Sequence, residues 1–172
     1  MPFWRLYYHL VWATKDRAQV IQPEIEGRLF AYLLRKAAEM EVLVYALNAW
    51  YDHVHVVLAV PPKHAIADVV KELKGASSHY LNHEVGLAEA FHWQRGYGAF
   101  SMGMQHLEKA RLYVENQKAH HREGSANAWL ERCDEADEGP EQPGLGNTET
   151  RAAPAVREEA ASYIVQQDEA PF

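Results

Sequence analysis

The sequence predicts an α+β fold of the ferredoxin-like (split β-α-β) kind, in which an antiparallel sheet of four strands carries two helices on one face. Apolar, β-branched runs alternate with segments of helical periodicity in the order β-α-β-β-α-β, and one further helix follows. The 172 residues and their 48% hydrophobic content are enough for one domain with a sizeable core. We therefore expect a single domain plus an extension.

The first half of the chain predicts three strands and one helix. Trp4–Thr14 is rich in aromatic and β-branched residues, as in a central strand. Pro23–Glu41 has apolar residues at helical spacing, an early proline and acids in its first turn, which predicts an amphipathic helix. Val42–Trp50 and His53–Val60 predict a hairpin closed by a tight turn at Tyr51–Asp52. The first strand and the histidine-bearing strand should be central neighbours.

The second half of the chain completes the alternation of strands and helices up to residue 122, and no such alternation follows. Ala65–His83 predicts a second helix, Tyr97–Met104 a short strand containing glycine, and Leu107–Arg122 a further helix. Residues 123–172 are rich in acids, glycine and proline, and Val156–Gln167 is the one short helix suggested there. We expect a domain at 1–122 and an acidic, largely disordered tail at 123–172.

Charge divides the chain at the same place. Residues 1–122 contain 14 Lys and Arg against 12 Asp and Glu, whereas residues 123–172 contain 3 against 12, so the net charge of −7 hides a mildly basic domain. All ten histidines lie in that domain. Cys133, the single cysteine, cannot form an internal disulfide. No apolar run approaches about 18 residues, and we expect a soluble, cytoplasmic protein.

Two pairs of polar residues carry the candidate chemistry. His53 and His55 are two apart on a strand and share one face, so their imidazoles can converge on a metal ion; two hydrogen-bonded core histidines are the plain alternative. Tyr113 and Gln117 are four apart on one helix face and project together, although a tyrosine on such a helix is commonly a core residue.

Five motifs in this order resemble the single-tyrosine HUH transposases of small bacterial insertion sequences and the related REP-associated tyrosine transposases. The resemblance covers residues 4 to about 122, and one motif is the histidine–hydrophobic–histidine pair itself. The motifs are Tyr8–Lys15, Asp52–His55, Lys71–Ser78, Arg95–Ser101 and Tyr113–Gln117.

The resemblance implies a DNA transposase that cleaves and rejoins single-stranded DNA. In it, Tyr113 is the nucleophile, and His53, His55 and Gln117 coordinate a divalent ion, Mg²⁺ or Mn²⁺. A cation on the phosphate oxygens neutralises charge and orients the bond, and the tyrosine stores the bond energy as a 5′-phosphotyrosine. The resemblance also implies hairpin DNA ends as substrate and a homodimer.

Further residues are candidates for supporting roles. Phosphate contacts and base stacking could come from Lys71, Lys74, Ser77, Ser78, Arg95 and Tyr97, each of which is also explained as a solvated or packing residue. His9 and Asp52 could orient the metal-binding histidines, or could be a core histidine and a turn residue. We interpret His120 and His121 as residues that end a helix favourably against its dipole.

Two other function classes remain open on the sequence. A non-catalytic nucleic-acid-binding module, or a domesticated transposase acting as a regulator, would use the same fold without Tyr113 chemistry. A zinc hydrolase would require another strong ligand near the histidine pair. A histidine-triad hydrolase is disfavoured because the next alternate position is Val57. Two features depart from the resemblance: Tyr51 where many relatives have proline, and the acidic tail.

Overall fold

A computed structural model describes residues 3–87 and 89–133 of the chain. The strands are β1 (Tyr7–Ala13), β2 (Leu43–Trp50), β3 (His53–Ala59) and β4 (Gly98–Met102). The helices are α1 (Pro23–Glu39), α2 (Ile66–Tyr80), α3 (Leu107–Glu115) and α4 (Gln117–Glu123). Within these residues, no helix is both long and apolar enough to cross a membrane.

The sheet has the strand order β2-β3-β1-β4, and every neighbouring pair is antiparallel. This is the order of the split β-α-β arrangement, so the predicted α+β fold is confirmed. β1 and β3 are the two central strands, as predicted, and Val11 lies opposite His55 in their register. Because both flanks of β3 are hydrogen-bonded, its side chains are held in fixed positions along the pleat.

The two faces of the sheet have different partners. Val54, Val56 and Leu58 point to one face, where they join the main core with α1 and α2. The alternate residues of β3 point to the opposite face, where Val57 packs with Ala110 and Val114 of α3. Helix α3 therefore covers this second face of the sheet.

The predicted helix Leu107–Arg122 is divided into α3 and α4 at Asn116, whose backbone angles are not helical (φ −91°, ψ 8°). The side-chain amide of Asn48 donates to the carbonyl oxygens of Val114 and Glu115, at 2.9 Å each. These carbonyls accept hydrogen bonds from β2 at the point where the helix stops, which gives the physical reason for the division.

Residues 124–133 are packed against the sheet. Leu130 and Cys133 are 1% and 2% exposed, and a Cβ atom added to Gly98 would lie 2.1 Å from the carbonyl oxygen of Arg132. The packed chain thus extends past the boundary predicted between residues 122 and 123. The rest of the predicted tail, including the helix suggested at Val156–Gln167, lies outside the described residues.

Candidate active site

The histidine pair lies on the sheet face that α3 covers. His53 and His55 are 1% and 0% exposed, and their ring centroids are 5.0 Å apart. Their position follows from the strand alone, because alternate residues of β3 share a face and the intervening Val54 enters the main core. The chain therefore buries two imidazoles side by side in its interior.

Each imidazole is oriented by a neighbour through its Nδ1 atom. Nδ1 of His53 lies 2.5 Å from Oδ1 of Asp52, and Nδ1 of His55 lies 2.8 Å from Nε2 of His9. A hydrogen bond to Glu131 requires a hydrogen on Nε2, whereas in the tautomer that carries its hydrogen on Nδ1 the Nε2 lone pair is free to bind a metal ion. His9 and Asp52 thus lie where each can orient one of the two histidines.

Tyr113 lies beside this pair in the same chain. Its ring centroid is 6.4 Å from that of His55, and its ring stacks on His120 at 4.8 Å. The tyrosine is only 6% exposed. Its hydroxyl accepts a hydrogen bond from the backbone N–H of Asn127 at 3.0 Å and lies 3.3 Å from Oε1 of Glu131. Residues 127–131 therefore cover the tyrosine.

Gln117 is fully buried on the first turn of α4. Its Nε2 donates to Oε1 of Glu131 at 2.6 Å and lies 2.8 Å from Nε2 of His121. Among the described residues its Oε1 atom has no hydrogen-bond partner. Turning the amide over would direct this oxygen toward the histidines, which is the orientation that a metal ligand needs.

Two residues that the sequence did not predict complete the cluster. Oε2 of Glu131 lies 2.9 Å from Nε2 of His53, 3.2 Å from Nε2 of His55 and 3.6 Å from Nε2 of His121. Nε2 of His121 is also 3.0 Å from Nε2 of His53. One donor atom from each of the four residues lies within 4.8 Å of all the others, so the group could hold a metal ion.

Burial and hydrogen bonding set the charge of this cluster. Burial acts to raise the pKa of Glu131, but its hydrogen bonds with His53 and His55 outweigh burial and hold that pKa well below its usual range. Burial also acts to lower the pKa of His53, whereas hydrogen bonds to Asp52 and Glu131 raise it above the ordinary value. Burial lowers the pKa of His55 to about 4, so this ring is neutral near pH 7.

The sequence contains a signal for only one of the two added residues. His121 follows Gln117 by four positions, which is the same helical spacing that pairs Gln117 with Tyr113. Its place at the end of the predicted helix indicates instead a favourable contact with the helix dipole. Glu131 belongs to an acidic run with no periodicity, so nothing in the sequence separates it from its neighbours.

The candidates for nucleic-acid binding fall into two groups. A cavity of about 370 Å³ is lined by α2 and the residues before β4, and its lining includes Lys71, Lys74, Ser78, Arg95 and Tyr97. Ser77 differs, because it is fully buried and its hydroxyl donates to the carbonyl oxygen of Leu73 at 2.6 Å. In this structure Ser77 does not reach the surface, so the expectation that it contacts DNA is corrected.

Comparison with known proteins gives one consistent result. Residues 2–117 match the family described as "Transposase IS200 like". The chain is 32% identical over 119 residues to the ISDra2 transposase TnpA of Deinococcus radiodurans, an alignment that covers 66% of this chain and 85% of that protein. It is 31% identical over 120 residues to the transposase for insertion sequence element IS200 of Salmonella typhimurium, covering 66% and 78% of the two chains.

Two solved structures share the fold. A crystallised candidate transposase from Deinococcus radiodurans R1 superposes with a TM-score of 0.52 at 28% identity, covering 74% of this chain and 95% of the other. A REP-associated tyrosine transposase bound to a REP hairpin also gives a TM-score of 0.52, covering 75% and 76% of the two chains. The second is 14% identical and supports the fold alone.

Proposed function

Because the chain belongs to the IS200-like transposase family, and is thus a DNA-cleaving transposase, we propose that it cuts and rejoins single-stranded DNA through a 5′-phosphotyrosine on Tyr113. One observation carries this proposal: the hydroxyl of Tyr113, the amide of Gln117 and the Nε2 atoms of His53 and His55 all surround the carboxylate of Glu131. The candidate nucleophile and the candidate metal ligands thus lie close together within one chain, which supports the proposal.

We propose that His53, His55 and Gln117 hold a divalent ion, Mg²⁺ or Mn²⁺. When bound, such an ion would neutralise the charge on the phosphate oxygens. The donor set fits a cation, since two imidazoles have their Nδ1 atoms occupied and the buried oxygen of Gln117 lacks a partner among the described residues. Asp52 and His9 hold the two rings in the orientation that presents Nε2.

The phenol oxygen of Tyr113 performs the covalent step. It loses its proton and attacks phosphorus, so that a bond forms between the phenol oxygen and the 5′-phosphate. The bond between phosphorus and O3′ breaks, and O3′ takes up a proton and leaves as a 3′-hydroxyl. Attack by another 3′-hydroxyl reverses the step and joins two strands without ATP. Because Tyr113 is 6% exposed and covered by residues 127–131, DNA must displace this segment before it can reach the phenol.

We propose that the DNA is a hairpin, and that Lys71, Lys74, Arg95 and Tyr97 contact its phosphates and bases with Ser78. Their shared cavity is large enough for part of a nucleotide, and its lysines and arginine supply positive charge. We also propose that the protein forms a homodimer and acts in the cytoplasm, and that the acidic tail lies outside the domain. For the domain we propose residues 1–133 in place of 1–122, because Leu130 and Cys133 are buried.

The test is a labelled single-stranded hairpin from the flanks of the gene, incubated with the protein and Mn²⁺ or Mg²⁺. We expect a covalent protein–DNA band on a denaturing gel that disappears with EDTA and in Tyr113→Phe, with a loss on the order of 10³-fold or more. Tyr32→Phe, on α1, is the matched control and should retain the band.

Two outcomes would contradict the proposal. A covalent band that persists in Tyr113→Phe would show that another residue is the nucleophile. Hairpin binding without any covalent band in the unmodified protein would favour the non-catalytic regulator.

A further inference from the structure

We propose that His121 and Glu131 complete, with His53 and His55, a four-donor site within one chain that binds a first-row transition-metal ion in preference to Mg²⁺. The inference rests on the metal requirement of the proposed function and deepens it. To the histidine pair it adds two ligands that the family resemblance does not imply, both C-terminal to the Tyr113–Gln117 motif. In this DNA-free arrangement Glu131 supplies the oxygen donor in place of Gln117, whose amide donates to it at 2.6 Å.

The distances between the donors fit one shared ion. Donors about 2.1 Å from a metal lie about 3.0 Å apart when adjacent in an octahedron and about 3.4 Å apart in a tetrahedron. Oε2 of Glu131 lies 2.9, 3.2 and 3.6 Å from the three Nε2 atoms, and the Nε2 atoms of His53 and His121 are 3.0 Å apart. Four of the six separations are thus close to those within a ligand shell, and all the donors lie within 4.8 Å of one another.

The imidazoles direct their Nε2 atoms to the same point. Asp52 and His9 occupy the Nδ1 atoms of the pair on β3. The ring of His121 is stacked on Trp50, with centroids 4.9 Å apart and planes 13° apart, so its direction is fixed as well. Without metal, hydrogens on Nε2 link the imidazoles to the carboxylate of Glu131, and a cation at this point would replace those hydrogens.

The local charges match a divalent ion. Glu131 and Asp52 contribute two negative charges at the cluster, one facing the Nε2 atoms and one behind His53. A buried ion is tolerated when opposite charges compensate it at contact distance. Glu131 therefore offsets one charge of the ion directly, and Asp52, which also pairs with Arg17 at 3.5 Å, offsets part of the second.

Glu131 is held at the cluster by the packing of its own segment. Leu130, the residue before Glu131, is 1% exposed, and Cys133, two residues after it, is 2% exposed. The carbonyl oxygen of Asn127 accepts hydrogen bonds from the N–H groups of Leu130 and Glu131, at 3.0 and 3.2 Å. The side chain of Glu131, which is 16% exposed, is thus directed inward because Leu130 and Cys133 on either side of it are buried.

The donor types decide the metal. Three imidazoles and one carboxylate suit Zn²⁺ and the late first-row ions, because affinity for such ligands rises from Mn²⁺ to Cu²⁺ and is still high at Zn²⁺. Mg²⁺ prefers oxygen ligands and keeps several waters, which three nitrogen donors in a buried cluster do not favour. We therefore expect Zn²⁺ to bind more tightly than Mg²⁺ by a factor on the order of 100 or more.

The test measures metal binding to the full chain after metal has been stripped, without DNA. Zn²⁺ and Mg²⁺ are titrated by calorimetry, and Co²⁺ is used as a coloured probe of coordination number. We expect one Zn²⁺ per chain and a strong visible Co²⁺ absorption, typical of four ligands. Glu131→Gln and His121→Gln should each weaken Zn²⁺ binding by about 10-fold or more and weaken the Co²⁺ absorption. Glu123→Gln, with the same charge change on an exposed residue, is the control.

The outcomes separate this inference from the proposed function. Unchanged Zn²⁺ affinity and an unchanged Co²⁺ spectrum in both variants would overturn the inference, as would Mg²⁺ binding as tight as Zn²⁺. Thermal unfolding without metal checks that the variants fold, and the side chains of His121 and Glu131 are 17% and 16% exposed. A normal Zn²⁺ site in a protein that never forms a covalent DNA band would refute the proposed function alone.

Discussion

Asn48 in the middle of β2 donates its side-chain amide to the carbonyl oxygen of Val114, the residue after the candidate nucleophile, at 2.9 Å. The same amide donates to Glu115. This contact joins α3 to the sheet at the turn that precedes Gln117. The placement of the tyrosine relative to the histidines therefore depends on an amide 65 residues earlier in the chain.

Asn48→Ala should lower the free energy of unfolding by about 1–3 kcal/mol, because two carbonyl oxygens lose their side-chain donor at a largely buried position. Urea denaturation measures the change. The exposed Gln19→Ala is the control and should stay within about 0.5 kcal/mol of the unmodified protein. Equal stability of the two variants would show that the Asn48 contacts contribute nothing.

Asp52→Asn should weaken metal binding by about 10- to 100-fold while the protein remains folded. The carboxylate of Asp52 lies 2.5 Å from Nδ1 of His53 and makes this imidazole a better ligand, and the amide keeps the shape without the charge. Calorimetric titration with Mn²⁺ checks the prediction, with Asp68→Asn on the exposed side of α2 as the control. Identical Mn²⁺ affinities in the two variants would argue against an orienting role.

Gly98→Ala should destabilise the protein by about 1–3 kcal/mol, because the added Cβ would lie 2.1 Å from the carbonyl oxygen of Arg132 and 2.7 Å from Cγ1 of Val11. The matched control is Gly27→Ala in α1, where nothing lies within 4 Å of the new carbon. The control should gain about 0.5–1 kcal/mol. If both variants gain stability, the 124–133 segment does not pack on β4 as described.

A chain ending after Cys133 should fold, whereas one ending after Glu123 should be less stable by about 3 kcal/mol or more. The shorter chain lacks Leu130 and Cys133, whose burial covers Val57 and Val11 of the sheet. Chemical denaturation of both chains measures the difference. Equal stability would return the domain boundary to residue 122.

Lys71→Gln and Arg95→Gln should each reduce the slope of log affinity against log salt by about 1, since each removes one phosphate contact. Fluorescence anisotropy with the labelled hairpin at several salt concentrations gives the slope. Arg28→Gln, an exposed charge on α1 outside the cavity, should leave it unchanged. A slope that changes equally in all three variants would remove the cavity from the proposed interface.

The sequence predicts those parts of the fold and the site that depend on local spacing. The period of two places His53 beside His55, and the helical period places Gln117 on the side of Tyr113, so both pairs could be identified from their spacing alone. The division of the helix at Asn116 could not be predicted from the sequence, because it depends on Asn48 in a distant strand. The role of Glu131 could not be predicted either, because an acidic residue in an acidic run is expected to be solvated. Its partners His55 and His53 lie 76 and 78 residues earlier in the chain.

The four possible metal donors differ in how firmly the fold holds them. Strand β3, which carries two of them, is hydrogen-bonded on both sides, whereas the other two lie outside the sheet. His53 and His55 sit on a strand whose seven residues are all buried, so these ligands are ordered by folding itself. His121 and Glu131 come from the last turns of the described chain, with part of their side chains in solvent. Local opening of residues 121–131 can therefore release His121 and Glu131 without disrupting the sheet, and DNA can enter by this route while the histidine pair stays in place.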